Sequence, residues 1–199
     1  MEQKTRSRIE EYLEEHDGIV RTSVFQGDGF HNTYLTELVD EGYLVRIKAG
    51  LYLMAEKQSV TGFFETQLAL PSAVICLASA LLVYELTTYE PPSVHIAIPR
   101  DDKTIPPEYP PVRKFSFGNT RYNLGTNRIE LQGKDIVVYD REKTICDCIR
   151  YRRVLGQDIV NEAVRNYMGS QRTNIDRLIE YSRILKSEGP VQTHLRLMS

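Results

Sequence analysis

The sequence predicts an α+β protein in two parts: a small helical unit closed by a β-hairpin, then a longer mixed α/β domain with a short sheet packed by helices. Three observations predict it. Apolar residues recur at helical spacing twice within the first forty residues, with a short capped helix between them, and a hairpin pattern follows. From residue 94 to 139 the pattern changes to short alternating strands punctuated by Pro and Gly. From Arg141 onward it returns to helix.

In the first part, Ile9, Tyr12 and Leu13 form one helical stripe, with Arg6, Arg8, Glu10, Glu11, Glu14 and Glu15 on the other faces and Gly18 as the stop. Ile19-Val20-Arg21 leads into Thr22-Ser23, an N-cap pair for a short second helix ending near Gln26-Gly27. A third helix is predicted over about Asn32 to Glu41, burying Leu35, Leu38 and Val39, with Gly42 after it. Tyr43-Leu44-Val45-Arg46-Ile47 reads as a strand, Lys48-Ala49-Gly50 as a turn, and Leu51-Tyr52-Leu53 as the return strand. Three helices and a hairpin in this order predict a winged helix-turn-helix over residues 1–57, leaving 58–199 as the second domain.

The second domain is expected to open with a helix over about Thr61 to Leu70, ended by Pro71, and an apolar helix from Leu77 to Leu86. Val94 to Ile98, Val112–Phe117, Asn127–Leu131 and Ile136–Tyr139 are strand candidates, and Ile105 to Pro111 is a proline-stiffened loop. Helices follow at about 141–153, 157–168 and 174–187, then a short tail after Gly189-Pro190. No apolar run reaches the length of a membrane span and the first residues lack a signal-peptide core, so a cytoplasmic protein is expected.

A reading helix must bury one face and offer short polar side chains on the other near its N-terminus. With Leu35, Leu38 and Val39 inward, Asn32, Thr33, Tyr34 and Thr36 are the candidates for base or phosphate contact. Glu37 and Asp40 share that side and oppose the phosphate field. Strand alternation sends Tyr43, Val45 and Ile47 inward, which would turn Arg46 and Lys48 outward as two cations at the wing tip. Arg21, Thr22 and Ser23 at the start of the second helix offer a phosphate clamp with backbone N–H groups alongside. Bulk charge does not help: the chain is −2 overall, and residues 1–60 hold seven Lys and Arg against eleven Asp and Glu. Any positive footprint must therefore be local.

Catalysis and metal binding find little in the sequence. Three cysteines, two as Cys146-Asp147-Cys148, make neither a disulfide framework nor a metal motif. The four histidines lack ligand spacing, and no nucleotide-binding or nucleophile-elbow motif is present. No cofactor is expected. Asp140 before Glu142 reads as a helix N-cap rather than a catalytic acid. Residues 141–199 are arginine-rich, and Arg150, Arg152 and Arg153 are the candidates for meeting an acidic partner.

Four segments in order carry a family resemblance: Gly42-Tyr43-Leu44-Val45-Arg46-Ile47-Lys48-Ala49-Gly50-Leu51-Tyr52; Ala73 to Leu81 with Tyr84-Glu85-Leu86-Thr87; Pro92 to Ile98; and Val138 to Asp147. Together they resemble the AbiEi family of antitoxins from type IV toxin–antitoxin systems. The resemblance implies a non-enzymatic protein whose winged helix binds inverted repeats in its own promoter and represses the operon. It implies a C-terminal domain that counters a nucleotidyltransferase-like toxin. By position, the DNA-binding role falls on Arg21, Thr22, Asn32, Thr33, Arg46 and Lys48. Two other readings share the sequence: a stand-alone regulator whose second domain senses a small molecule, and an enzyme that uses the winged helix to choose its substrate.

Overall fold

The computed structural model describes residues 1–198, with side chains through Arg196. The chain is α+β and divides into two compact units, Met1–Leu70 with Ile105–Pro111, and Pro71–Thr104 with Val112–Ser199.

The first unit runs α1 (Gln3–Glu15), β1 (Ile19–Arg21), α2 (Thr22–Gly27), α3 (Thr33–Asp40), β2 (Leu44–Lys48), β3 (Leu51–Met54) and α4 (Phe63–Ala69). Its sheet is antiparallel in the order β1-β3-β2, so Ile19–Arg21 is a true strand and β2 lies at an edge. The three helices and the hairpin come in the order that the sequence predicted, and β1 is an additional strand beside β3. The helices hold together because their apolar stripes meet: Ile9, Tyr12 and Leu13 pack with Phe25, Phe30, Leu35 and Leu38. Tyr12, Phe25 and Phe30 form an aromatic triangle with centroids 4.7 to 5.6 Å apart. Each such buried side chain contributes about 1.5–3 kcal/mol. Gly18, at φ +74°, ends α1 by donating to the Leu13 carbonyl at 2.7 Å, and its own carbonyl accepts from Met54 at 2.9 Å. A Cβ there would meet Met54 and Lys57 at 3.0–3.1 Å.

Two expectations change here. The boundary anticipated after residue 57 lies further on. The first unit keeps α4, whose last carbonyl, at Ala69, accepts from Lys48 Nζ at 2.5 Å. It also takes in Ile105–Pro111, because the Glu108 and Tyr109 amides donate to the Ile47 carbonyl at 2.9 and 3.3 Å. The strand parity also differs. The β2–β3 register shifts between Arg46 and Lys48, and Leu44 and Ile47 are the buried residues, with Val45 half-buried. A β-bulge places an extra residue on one strand, which breaks the two-residue alternation at that point.

The second unit contains β4 (Val74–Ile75), α5 (Leu77–Val83), β5 (Val94–Pro99), β6 (Val112–Phe117), α6 (Asn119–Asn123), β7 (Thr126–Leu131), β8 (Lys134–Tyr139), α7 (Arg141–Arg150), α8 (Arg152–Leu155), α9 (Gln157–Met168), α10 (Ile175–Ile184) and α11 (Glu188–Met198). The sheet is mixed, in the order β6-β5-β4-β8-β7; β5 and β8 run parallel to β6 and β4 respectively, and the remaining pairs are antiparallel. Helix α7 is its centre: every residue from Glu142 to Ile149 is buried, and α5, α9, α10 and α11 pack around it. Its start is fixed by Asp140, whose carboxylate accepts from the Lys143 amide at 2.8 Å, as the sequence suggested. The short tail expected after Gly189-Pro190 is helix instead. Pro190 falls in the first turn of α11, where a missing N–H removes no intrahelical bond.

Candidate nucleic-acid interface

Helix α3 presents the face that its sequence predicted. Leu35 and Leu38 are buried and Val39 is half-buried, while Asn32, Thr33 and Thr36 are exposed. Asn32 has helical dihedrals, φ −61° and ψ −24°, and its side chain makes no capping bond, so its amide is available to an outside partner. The Thr33 hydroxyl lies 2.9 Å from His31 Nδ1, which also accepts from the Thr33 amide at 3.3 Å. Tyr34 is half-buried against the core of the unit and offers less than a free phenol would. Glu37 sits 3.4 Å from the Met1 ammonium, which offsets one of the two carboxylates on this side; Asp40 stays exposed.

The flanking cations are less free than strand alternation suggested. Arg46 is exposed but pairs with Glu108 at 3.3 Å. Lys48 does not reach the wing tip: beyond the bulge it is half-buried on the Ala69 carbonyl. The α2 clamp changes too. Arg21 and Ser23 are exposed, but the Thr22 amide donates to the Gly50 carbonyl at 3.0 Å, tying α2 to the hairpin turn. A six-residue helix with a leading amide already engaged offers no anion site of its own. Counted over its residues, the first unit holds seven Lys and Arg against thirteen Asp and Glu, a side-chain charge of −6. The face therefore offers short hydrogen-bonding side chains and two exposed arginines, not a broad basic surface.

In the second unit, the three arginines proposed to meet a partner separate into two kinds. Arg150 and Arg153 are exposed, whereas Arg152 donates to the Ile149 carbonyl at 3.0 Å and so finishes α7. The acid, base and thiol segment beside them lies inside the protein. Lys143 and Asp147 form a buried ion pair, Arg121 approaches Asp147 at 3.6 Å, and the Lys143 ammonium lies 4.0 Å from the Tyr139 ring centroid. Burial pushes the Asp147 carboxyl up and the Lys143 ammonium down, and their mutual attraction opposes both shifts. Cys76, Cys146 and Cys148 are buried free thiols; burial pushes Cys146 up to about 12 and the other two well above their ordinary value. Such thiols stay protonated at neutral pH. Ser79 is also committed, its hydroxyl accepting from the His95 amide at 2.9 Å. His95 Nδ1 is buried without a hydrogen-bond partner, and burial lowers the ring to about 4.

None of the Lys48–Ala69, Arg46–Glu108 or Thr22–Gly50 contacts was foreseen from the sequence. Each joins residues whose pairing depends on the bulge or on a segment far along the chain. Among the described residues no helix is long and apolar enough to cross a membrane. Neither protein-family models nor the curated proteins give a match to this chain.

Proposed function

We propose that the chain is a DNA-binding autorepressor and antitoxin of the AbiEi kind. In this reading α3 reads promoter DNA and the second unit counters a nucleotidyltransferase-like toxin. The observation that carries it is the division of α3, with Leu35 and Leu38 buried while Asn32, Thr33 and Thr36 stand exposed next to a hairpin. Asn pairs with adenine through two hydrogen bonds, and Thr suits a base edge or a phosphate. The acidic balance of the unit assigns a small electrostatic share to binding, with Arg21 and Arg46 as its cations. Two neutralised phosphates correspond to a slope of log K against log salt of about −2.

The test is fluorescence anisotropy with the DNA upstream of the chain's own reading frame, repeated at rising salt. Asn32→Ala with Thr33→Ala removes specific binding and leaves the thermal melt in place, because both side chains are solvent-facing. Equal affinity for the variant, or for unrelated DNA, overturns the reading. For the second unit, Arg150→Glu with Arg153→Glu weakens protection against a toxin encoded beside the chain while preserving the fold. Full protection by that variant removes these two residues from the partner surface.

A further inference from the structure

The second unit holds a polar cavity of about 540 Å³, whose lining includes Tyr84, Glu85, Arg141, Ser170, Gln171 and Arg172. Arg141 is the unusual member. It is flanked in sequence by two carboxylates, yet both are committed elsewhere. Asp140 accepts from the Lys143 amide and from the Tyr181 hydroxyl, at 2.8 and 3.0 Å. Glu142 accepts from the Tyr167 hydroxyl at 2.9 Å. Among the described residues no carboxylate pairs with Arg141, and its Nε is buried with no hydrogen-bond partner. Its guanidinium instead contacts two aromatic rings, 5.8 Å from the Tyr84 centroid and 5.9 Å from that of Tyr167. Ring contacts of this kind attract the cation to the aromatic faces, and they leave the Nε–H donor unsatisfied.

We propose that this cavity binds a small phosphate monoester, with the phosphate on Arg141 and Arg172. Two guanidinium groups match a dianion in charge. A phosphate also offers three terminal oxygens to a lining rich in donors, the Ser170 hydroxyl and Gln171 amide among them, where a carboxylate offers two. The volume exceeds that of bare phosphate and leaves room for an organic part. Glu85, an exposed member of the lining, suits a hydroxyl of that part as an acceptor and disfavours a second anionic group there. This site lies wholly within the second unit and stands whether or not the first unit binds DNA.

The experiment is calorimetric titration of the full chain with ribose 5-phosphate, inorganic phosphate and ribose. Saturable binding of ribose 5-phosphate, weaker binding of inorganic phosphate and none of ribose are expected. Arg141→Lys keeps the charge but loses the fork, and affinity falls at least about tenfold. Arg172→Gln, at an exposed position, weakens binding severalfold with the thermal melt unchanged, while Arg183→Gln on an outer helix face leaves binding unchanged. The proposal is overturned if neither phosphate compound binds saturably at millimolar concentration, if ribose binds as well as its phosphate, or if Arg172→Gln and Arg183→Gln behave alike.

Discussion

Replacing Asp147 by Asn isolates the energetic role of the buried ion pair in the second unit. The carboxylate is 1% exposed and Lys143 is fully buried, so the substitution leaves an ammonium with no counter-charge and no water. Removing one member of such a pair costs about 3–5 kcal/mol. An independent bound agrees: Lys143 escapes the problem by losing its proton, and moving an amine from its ordinary 10.5 to neutral form at pH 7 costs about 5 kcal/mol. Arg121, 14% exposed, has a route towards solvent and adds little to this. Thermal melts of Asp147→Asn should fall by about 10 °C, at about 2–4 °C per kcal/mol for a chain of this size. The sign with pH follows. An amine neutral in the folded state and charged in the unfolded state stabilises the fold as pH rises. The gap to the native chain therefore narrows above pH 7, by about 1.4 kcal/mol for each pH unit over which that difference persists. Lys143→Met with Asp147→Leu recovers most of the loss, since the cost lies in the unmatched charge. A loss below about 1 kcal/mol, a gap constant with pH, or a double variant as unstable as the single would refute this reasoning.

Two further outcomes can be read directly. His95 is held neutral by burial, at about 4 against an ordinary 6.5, so its contribution is intact above pH 6.5 and lost as pH falls towards 4. The native chain should lose about 3 kcal/mol more than His95→Gln between pH 7 and pH 4 in urea unfolding, and equal losses would contradict the shift. If the proposed promoter binding holds, Glu108→Gln, which releases Arg46 from an exposed pair worth about 0.2–1 kcal/mol, should raise DNA affinity up to about fivefold at low salt. An unchanged or weakened complex in the anisotropy assay would count against Arg46 as a phosphate contact.

Much of the architecture was legible because its cause is local. The α3 stripe follows from helical period, and Leu35 and Leu38 lie where that period puts them. Asp140 was legible as a cap because a short carboxylate before a helix has one obvious donor to find. The wing was misread for a non-local reason. Alternation assigns Val45 and Ile47 to one face, but the bulge is held by amides from Glu108 and Tyr109, some sixty residues later. Lys48 was assigned to solvent because nothing near it in sequence discloses the Ala69 carbonyl. The Arg141 cavity left no motif, since its lining comes from three separate stretches of chain. What marks it is an omission, a guanidinium whose neighbouring acids are bonded to other groups.

The Ile105–Pro111 segment bears on how the protein is made. The first unit is not finished when Leu70 has been synthesised, because the carbonyl of Ile47 on its edge strand waits for amides at 108 and 109. At about 5–20 residues per second, that interval lasts a few seconds, during which a nascent three-stranded sheet offers an unguarded rim to other chains. A fragment cut at residue 70 never leaves that condition. It would aggregate more readily than the full chain, so the first unit is best studied with residues 105–111 attached.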